Sequence, residues 1–499
     1  MKIKDLPNDI NELKRLLSQK DQEIDQKDQE IDQKDQEILD LKDIITILQR
    51  KKFAPTSESS HQLGLFNELE DIIEEDDEEK EEITYERKKR GKRKPIPANL
   101  PRQEEVIDLS EDEKVGMKHI GDEISEQLVI EPAKVYVRRI IRRKYAPIDN
   151  IGKIVKAPMP QLLLPKTMAS SSFIAYIITA KYVDALPLYR QEKIFERINA
   201  AITRQTMARW LIQVSKKLVP LYNLLQDICL ERDYMQMDET VTQVLEELGK
   251  KATSKSYMWI RHAPGDNPIV LYDYASNRSG AVPIELLEGF SGALQVDGYD
   301  GYAPACDKFK LKRLGCMDHC RRKFFDASKT SGGKGIGKTG VNLIDKLYKI
   351  EEQIENLSLE ERHQIRQEKS VPLLNKIKTW LDDIRPKITP KSVAGKAVNY
   401  ACNEWEYLKR YVENPKYNIS NIWIENAVRP FAIGRKNWLF SSSVDGAKAS
   451  AMYYSLIETA KKNGFEPFDY LNKMLEKLPM AETVDDFENL LPLKDYFQG

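Results

Sequence analysis

The chain has 499 residues, 41% of them hydrophobic and 31% charged, with 78 basic against 79 acidic side chains and a formal net charge of −1. That is material for about two to four domains, and the overall charge balance selects no partner. No apolar run approaches a membrane span, no secretory leader opens the sequence, and no cysteine precedes Cys229, so a membrane protein and a secreted disulfide scaffold are set aside for a cytoplasmic protein with reduced thiols.

In residues 1–50, Ile10, Leu17, Ile24, Ile31, Ile38 and Ile45 recur every seventh position, and Asp21–Lys27 repeats letter for letter as Asp28–Lys34. With these at a, the d positions are Leu13, Lys20, Lys27, Lys34, Leu41 and Leu48. A seam apolar at both ends and lysine-filled between predicts a coiled coil that joins at least two copies. A single charged helix held by i,i+4 pairs is the alternative.

Residues 51–100 read as a charged, disordered linker. Glu68–Glu82 holds eleven acidic residues and one lysine, and seven of the eight residues in Arg87–Lys94 are basic. Residues 101–150 form a small module whose end, Val135–Tyr145, alternates apolar and basic residues like a strand. From 160 to 230 the period is helical. Gln191–Ile198, a break and Thr203–Val214 resemble a helix-turn-helix with Thr203 as N-cap and Arg204, Gln205 and Arg209 outward. Those side chains suit phosphate and base-edge contacts, although such helix pairs also build plain bundles.

Residues 231–440 bring the strand signals: Tyr234–Leu245, Ser256–His262, Ile269–Tyr274, Ala293–Val296 and Arg313–Met317, with a helix at Val282–Phe290. That order is the one expected of a ribonuclease-H-like α/β domain, interrupted by a charged helical insertion at about 341–413. Residues 441–499 form a helical tail, with segments at Ala447–Lys461 and Phe468–Leu478.

Three carboxylates occupy pointed contexts. Asp238 sits in the first strand, Asp297 ends the fourth before a glycine turn, and Glu425 precedes the basic-aromatic run Gly434–Phe440. Converging carboxylates suit Mg²⁺ and phosphoryl transfer on nucleic acid. By position alone, Glu239, Asp273 or Asp300 would serve as well.

Several segments select among them. Leu186–Gln191, Met237–Thr240, Val296–Tyr302, Cys316–Phe324, Glu425–Pro430, Gly434–Phe440 and Tyr454–Ala460 resemble, in order, the insertion sequence 66 family of bacterial transposases. The resemblance implies a DDE catalytic triad of Asp238, Asp297 and Glu425 that holds Mg²⁺, with Mn²⁺ able to substitute. It implies binding of element ends and target DNA, cleavage, and joining of 3′ hydroxyls. It further implies at least a dimer, possible accessory proteins of the same element, and no membrane partner. A catalytically silent DNA-binding remnant and a nuclease without strand transfer are the alternatives. His319 matches the family's Cys-x-x-His motif and, with Arg321, Arg322 and Lys323, is expected on DNA; a histidine satisfied at a strand end is the alternative. Arg429, Arg435 and Lys436 are expected on phosphates near the metals. Trp438 and Phe440 could stack on a base or fill core.

The family's cysteine-rich zinc module has no counterpart, since Glu105–Tyr145 contains no cysteine. Zinc is not expected there, nor at Cys306, Cys316, His319 and Cys320, where residues 319 and 320 on a strand would face opposite ways. Gly332–Thr339 matches the P-loop pattern literally but follows a basic, helical-looking stretch instead of a buried strand. It is read as a mobile glycine-lysine loop that could touch DNA, and no nucleotide cofactor is expected.

Overall fold

A computed structural model describes residues 135–145, 155–333 and 335–497. The expected coiled coil, the linker and most of the small module lie outside the described residues. Residues 135–143 are exposed and have no regular structure. The strand expected over Val135–Tyr145 is confined to β1 (Lys144–Tyr145), paired antiparallel with β2 (Val155–Lys156). Alternation alone did not extend it, because Tyr136, Val137 and Ile141 bury no face.

Four helices come next: α1 (Ser171–Tyr182), α2 (Leu188–Arg197), α3 (Arg204–Lys217) and α4 (Val219–Leu230). The Thr203 hydroxyl caps α3 by accepting from Thr206 N–H, and Arg204, Gln205 and Arg209 are exposed on it. The apolar stripe of α3 (Met207, Trp210, Leu211, Val214) is buried in the same core as the sheet. Gln191 lies in that core and donates to the carbonyls of Ile177 and Leu186, which fixes the α1–α2 turn.

The sheet is built from β3 (Tyr234–Glu246), β4 (Lys255–Ala263), β5 (Ile269–Ala275), β6 (Ala293–Gln295) and β7 (Lys312–Leu314). Its order is β5-β4-β3-β6-β7, antiparallel at β5-β4-β3 and parallel at β3-β6-β7. Two short helices, α5 (Ala281–Leu286) and α6 (Ala303–Phe309), lie in the crossovers. The fifth strand is shorter than its sequence suggested: α7 (Met317–Thr330) begins where Met317 was expected to end it.

The insertion consists of α8 (Gly335–Ile354), α9 (Leu359–Ile365), a π-helical turn at Arg366–Ser370, α10 (Val371–Ile384) and α11 (Val393–Leu408). With α7 it forms a second hydrophobic core. Arg366 is 1% exposed, paired with Glu351 and donating to the carbonyls of Tyr411, Asn414 and Tyr417. It clamps the segment that returns to the sheet.

The glycines of the P-loop-like motif serve this packing. Gly332, Gly333 and Gly335 have positive φ and turn the chain between α7 and α8. A Cβ on Gly337 would lie 2.3 Å from Ser328 N. Because the obstacle is backbone, Gly337→Ala should lower stability by about 1–3 kcal/mol in a urea titration. A helix, not a strand, precedes the motif, and Lys338 and Thr339 are exposed.

After the insertion come α12 (Ile422–Trp438), β8 (Ser441–Ser443), α13 (Val444–Lys462), α14 (Pro467–Lys477) and α15 (Val484–Glu488). Helix α13 closes the edge of the sheet at β5. Val270 and Tyr272 N–H donate to the Thr459 and Ser455 hydroxyls, so the edge strand is capped by side chains instead of left open. Among the described residues, no helix is long and apolar enough to cross a membrane.

Candidate active site

Parallel pairing sets Gln236 of β3 opposite Gln295 of β6. Because side chains alternate along a strand, Asp238 shares the face of Gln236, and Asp297 follows Gln295 by the same two-residue step. Both glutamines are fully buried, and their amides interlock. Gln236 Nε2 donates to Gln295 Oε1 (2.8 Å) and to the Ser420 carbonyl (3.1 Å), while Gln295 Nε2 donates to the carbonyls of Gly315 and Asn418 (both 2.9 Å). Gln236 Oε1 accepts from Ile424 N–H (3.1 Å). The amide pair thereby fastens residues 418–424 to the two central strands. Glu425, the next residue, enters the site in the first turn of α12.

The electrostatics agree with this placement. Burial pushes the Asp238 carboxyl well above the usual carboxylate range, and the charges of Glu239, Asp297 and Glu425 push it further. One hydrogen bond, from Glu239 N–H to Asp238 Oδ1 (2.8 Å), opposes them. Asp297 Oδ1 accepts from Tyr299 N–H, and its backbone carbonyl accepts from Arg313, itself paired with Glu404.

Two of the competing acids are engaged by basic partners. Glu239 is neutralised by Arg278 and bonded by Tyr302. Asp273 receives Nε and Nη2 of the buried Arg261, which also reaches Tyr222, Gln226 and the Leu286 carbonyl. Asp300 is exposed in a 3₁₀ turn.

His319 lies in the first turn of α7, with Nδ1 3.9 Å from Glu425 Oε1. Burial holds its pKa down, and Asp297 works in the opposite direction. Cys316, the N-cap of α7, donates its thiol proton to Asn421 Oδ1 at 2.8 Å. The ligand atoms of Cys316, His319 and Glu425 all lie within 4.8 Å of one another. The expectation that residues 319 and 320 sit on a strand is therefore corrected: both are on a helix, where His319 faces Glu425 and Cys320 is buried in the insertion core.

The basic residues surround the site unevenly. Arg321 is ion-paired with Asp345, Arg322 is half-buried, and Lys323 is exposed with Nζ 4.6 Å from the Tyr400 ring centre. On α12, Arg429 and Arg435 are half-buried and Lys436 is exposed; Arg435 donates to the Thr240 hydroxyl. Arg204 and Arg209 are on α3, with no described contact to the carboxylates. Trp438 packs edge-on against Tyr182, with Lys181 Nζ 4.0 Å over its ring, and Phe440 is exposed.

Sequence reasoning passed over Gln236, Gln295 and Arg313. A signal existed: Gln-Met-Asp at 236–238 and Gln-Val-Asp at 295–297 repeat one spacing in two apolar strands.

The comparisons with known proteins bear on this arrangement. A family model described as "Transposase IS66 family" matches residues 166–449, more than half the chain and inclusive of all three carboxylates. "IS66 C-terminal element" matches 455–493, and "Transposase C of IS166 homeodomain" matches 40–104. Two proteins of Sinorhizobium fredii, both described only as uncharacterized, are similar along most of their length. Protein y4qI is 29% identical over 533 residues, covering 98% of each chain, and y4jD is 30% identical over 415 residues, covering 80% of this chain and 81% of its own. The chain belongs to the IS66 family of transposases.

Proposed function

We propose that Asp238, Asp297 and Glu425 are the catalytic carboxylates of a DNA transposase that cleaves the ends of its element and joins the 3′ hydroxyls to target DNA. The observation that carries this reading is the buried Gln236–Gln295 amide pair. It brings the start of α12 onto two parallel strands, so that Asp238 feels both Asp297 and Glu425. The mixed strand order with its first strand central supports a ribonuclease-H-like domain with a helical insertion.

The family implies dependence on a divalent metal, and the residues present fit one. Burial, and then the charges of Glu239, Asp297 and Glu425, raise the Asp238 carboxyl pKa, a cost that a hard divalent cation would relieve. Asp238, Asp297 and Glu425 would hold Mg²⁺, which supplies charge stabilisation to the entering and leaving oxygens of a phosphodiester. The protein's own contributions are orientation and charge. Arg313 and Tyr299 N–H fix the Asp297 turn, and Asn421 and the glutamines fix Glu425. Lys323, Arg429 and Lys436 offer phosphate contacts close to the acids, while Arg204 and Arg209 offer a second basic surface on α3 for element ends. Pairing through the N-terminal heptads would let two ends be handled together.

Labelled element-end DNA and a target plasmid, incubated with Mg²⁺ or Mn²⁺, test this reading. Wild type should give joined products, and Glu425→Ala and Asp297→Ala should give none while still shifting the end DNA in a gel. Cleavage without joining would favour a nuclease. Binding without any product from wild type would favour a silent remnant.

A further inference from the structure

Cys316 has no role in the reading above, and His319 has only the expected contact with DNA. We infer that Cys316, His319 and Glu425 form a site for a thiophilic transition-metal ion of the zinc or cobalt kind, and that this site competes with Mg²⁺ for Glu425. The inference rests on the catalytic reading only in its consequence for Glu425.

The donor set is the first argument. A thiolate, an imidazole and a carboxylate together select zinc-like ions, whereas Mg²⁺ takes oxygen and avoids sulfur. Geometry is the second. Tetrahedral zinc bonds place sulfur, nitrogen and oxygen ligands about 3.4–3.6 Å apart. Here the three ligand atoms lie within 4.8 Å of one another, and His319 Nδ1 and Glu425 Oε1 are 3.9 Å apart. Closure by about half an ångström at the His319–Glu425 pair, and by at most about 1.4 Å for the other pairs, brings them to coordination distance.

The framework is the third argument. Cys316 and His319 stand three residues apart at the start of α7, one turn on one face, and Glu425 is fixed by the first turn of α12. The Asn421 backbone N–H donates to the Cys316 sulfur at 3.5 Å, a contact that a metal-bound thiolate would keep, while Asn421 Oδ1 accepts at 2.8 Å the thiol proton that the metal would displace. His319 Nδ1 is buried and has no hydrogen-bond partner. Coordination would give it one. Binding releases the Cys316 thiol proton to solvent, the metal taking up the sulfur lone pair, and leaves a fourth position for water.

Co²⁺ is the probe, added to the untagged full-length protein and followed by its thiolate-to-cobalt charge-transfer absorption. The expected result is a single saturable band, bleached by equimolar Zn²⁺ and weakened only by a large excess of Mg²⁺. Cys316→Ser, whose hydroxyl can still donate to Asn421, should abolish the band, and His319→Ala should weaken Co²⁺ binding at least about tenfold. Cys320→Ser, a buried thiol outside the cluster, should keep it, as should Asp238→Asn. A missing band in wild type, or one that survives Cys316→Ser, would overturn the inference. The two readings fail separately. A missing band with Asp238 and Glu425 still required for joining sinks only this site. A Cys316-dependent band in a protein whose Glu425→Gln variant still joins DNA sinks only the catalytic assignment.

Discussion

Asp238→Asn is expected to lower cleavage and strand joining by well over a hundredfold, with end binding in a gel shift unchanged. Loss of an outer-shell partner costs about 10–100-fold at a metal site, and Asp238 would touch the metal itself. The same substitution should stabilise the metal-free protein. The Asp238 carboxyl is raised in the folded state by burial and by the charges of Glu239, Asp297 and Glu425. A raised carboxyl pKa means that the folded state holds this proton more tightly than the unfolded chain. Its contribution is therefore most favourable below the ordinary carboxylate range and is lost as pH rises through the interval up to the raised folded value. Thermal scans without metal should show that decline in wild type and a smaller one in Asp238→Asn. Added Mg²⁺ should raise the wild-type melting temperature near neutral pH more than that of the variant. Equal Mg²⁺ responses in the two proteins would contradict the assignment.

Gln236→Leu is expected to have the largest effect on stability. The side chain is fully buried and donates to the Tyr234 hydroxyl, Gln295 Oε1 and the Ser420 carbonyl while accepting from Ile424 N–H. The amide has two hydrogens shared among three acceptors, so about three bonds at about 1 kcal/mol each, with the Ser420 carbonyl left buried and unmatched, give a loss of roughly 3–5 kcal/mol in denaturant unfolding. Gln236→Glu keeps the acceptor for Ile424 N–H but sets a buried carboxylate against Gln295 Oε1 and the Ser420 carbonyl, so it should not rescue the loss. Because the amide also anchors the turn that carries Glu425, joining should fall in whatever fraction remains folded. Unchanged joining per folded molecule would show that α12 keeps its position without the amide pair.

Much of the sheet was legible because it depends on local periodicity. Runs such as Met235-Gln-Met237 and Ile269–Tyr272 are apolar and β-forming whatever surrounds them, and their observed bounds shift by a residue or so. Thr203 read as an N-cap because its hydroxyl needs only a backbone N–H three residues on. The stretch Arg313–Met317 misled because an extended approach to a helix cap resembles a strand end. Cys316 is still extended, yet Met317 already turns into α7. The helix expected over Val282–Phe290 stops early at Leu286, just before Gly289 with φ of 90°.

By itself the sequence determined the strand and helix periods, the Gln-x-Asp spacing on two strands and the family resemblance, all carried by residues near one another in the chain. Only the tertiary structure decided which acids remain available. Arg261 engages Asp273, and Arg278 with Tyr302 engages Glu239, while Asp238 is raised by burial and by the charges of Glu239, Asp297 and Glu425. It also decided that Glu425 meets His319 and Cys316. The physical reason is distance along the chain. Gln236 and Ile424 are 188 residues apart, so their bond follows from sheet register and buried amide pairing and not from any local pattern.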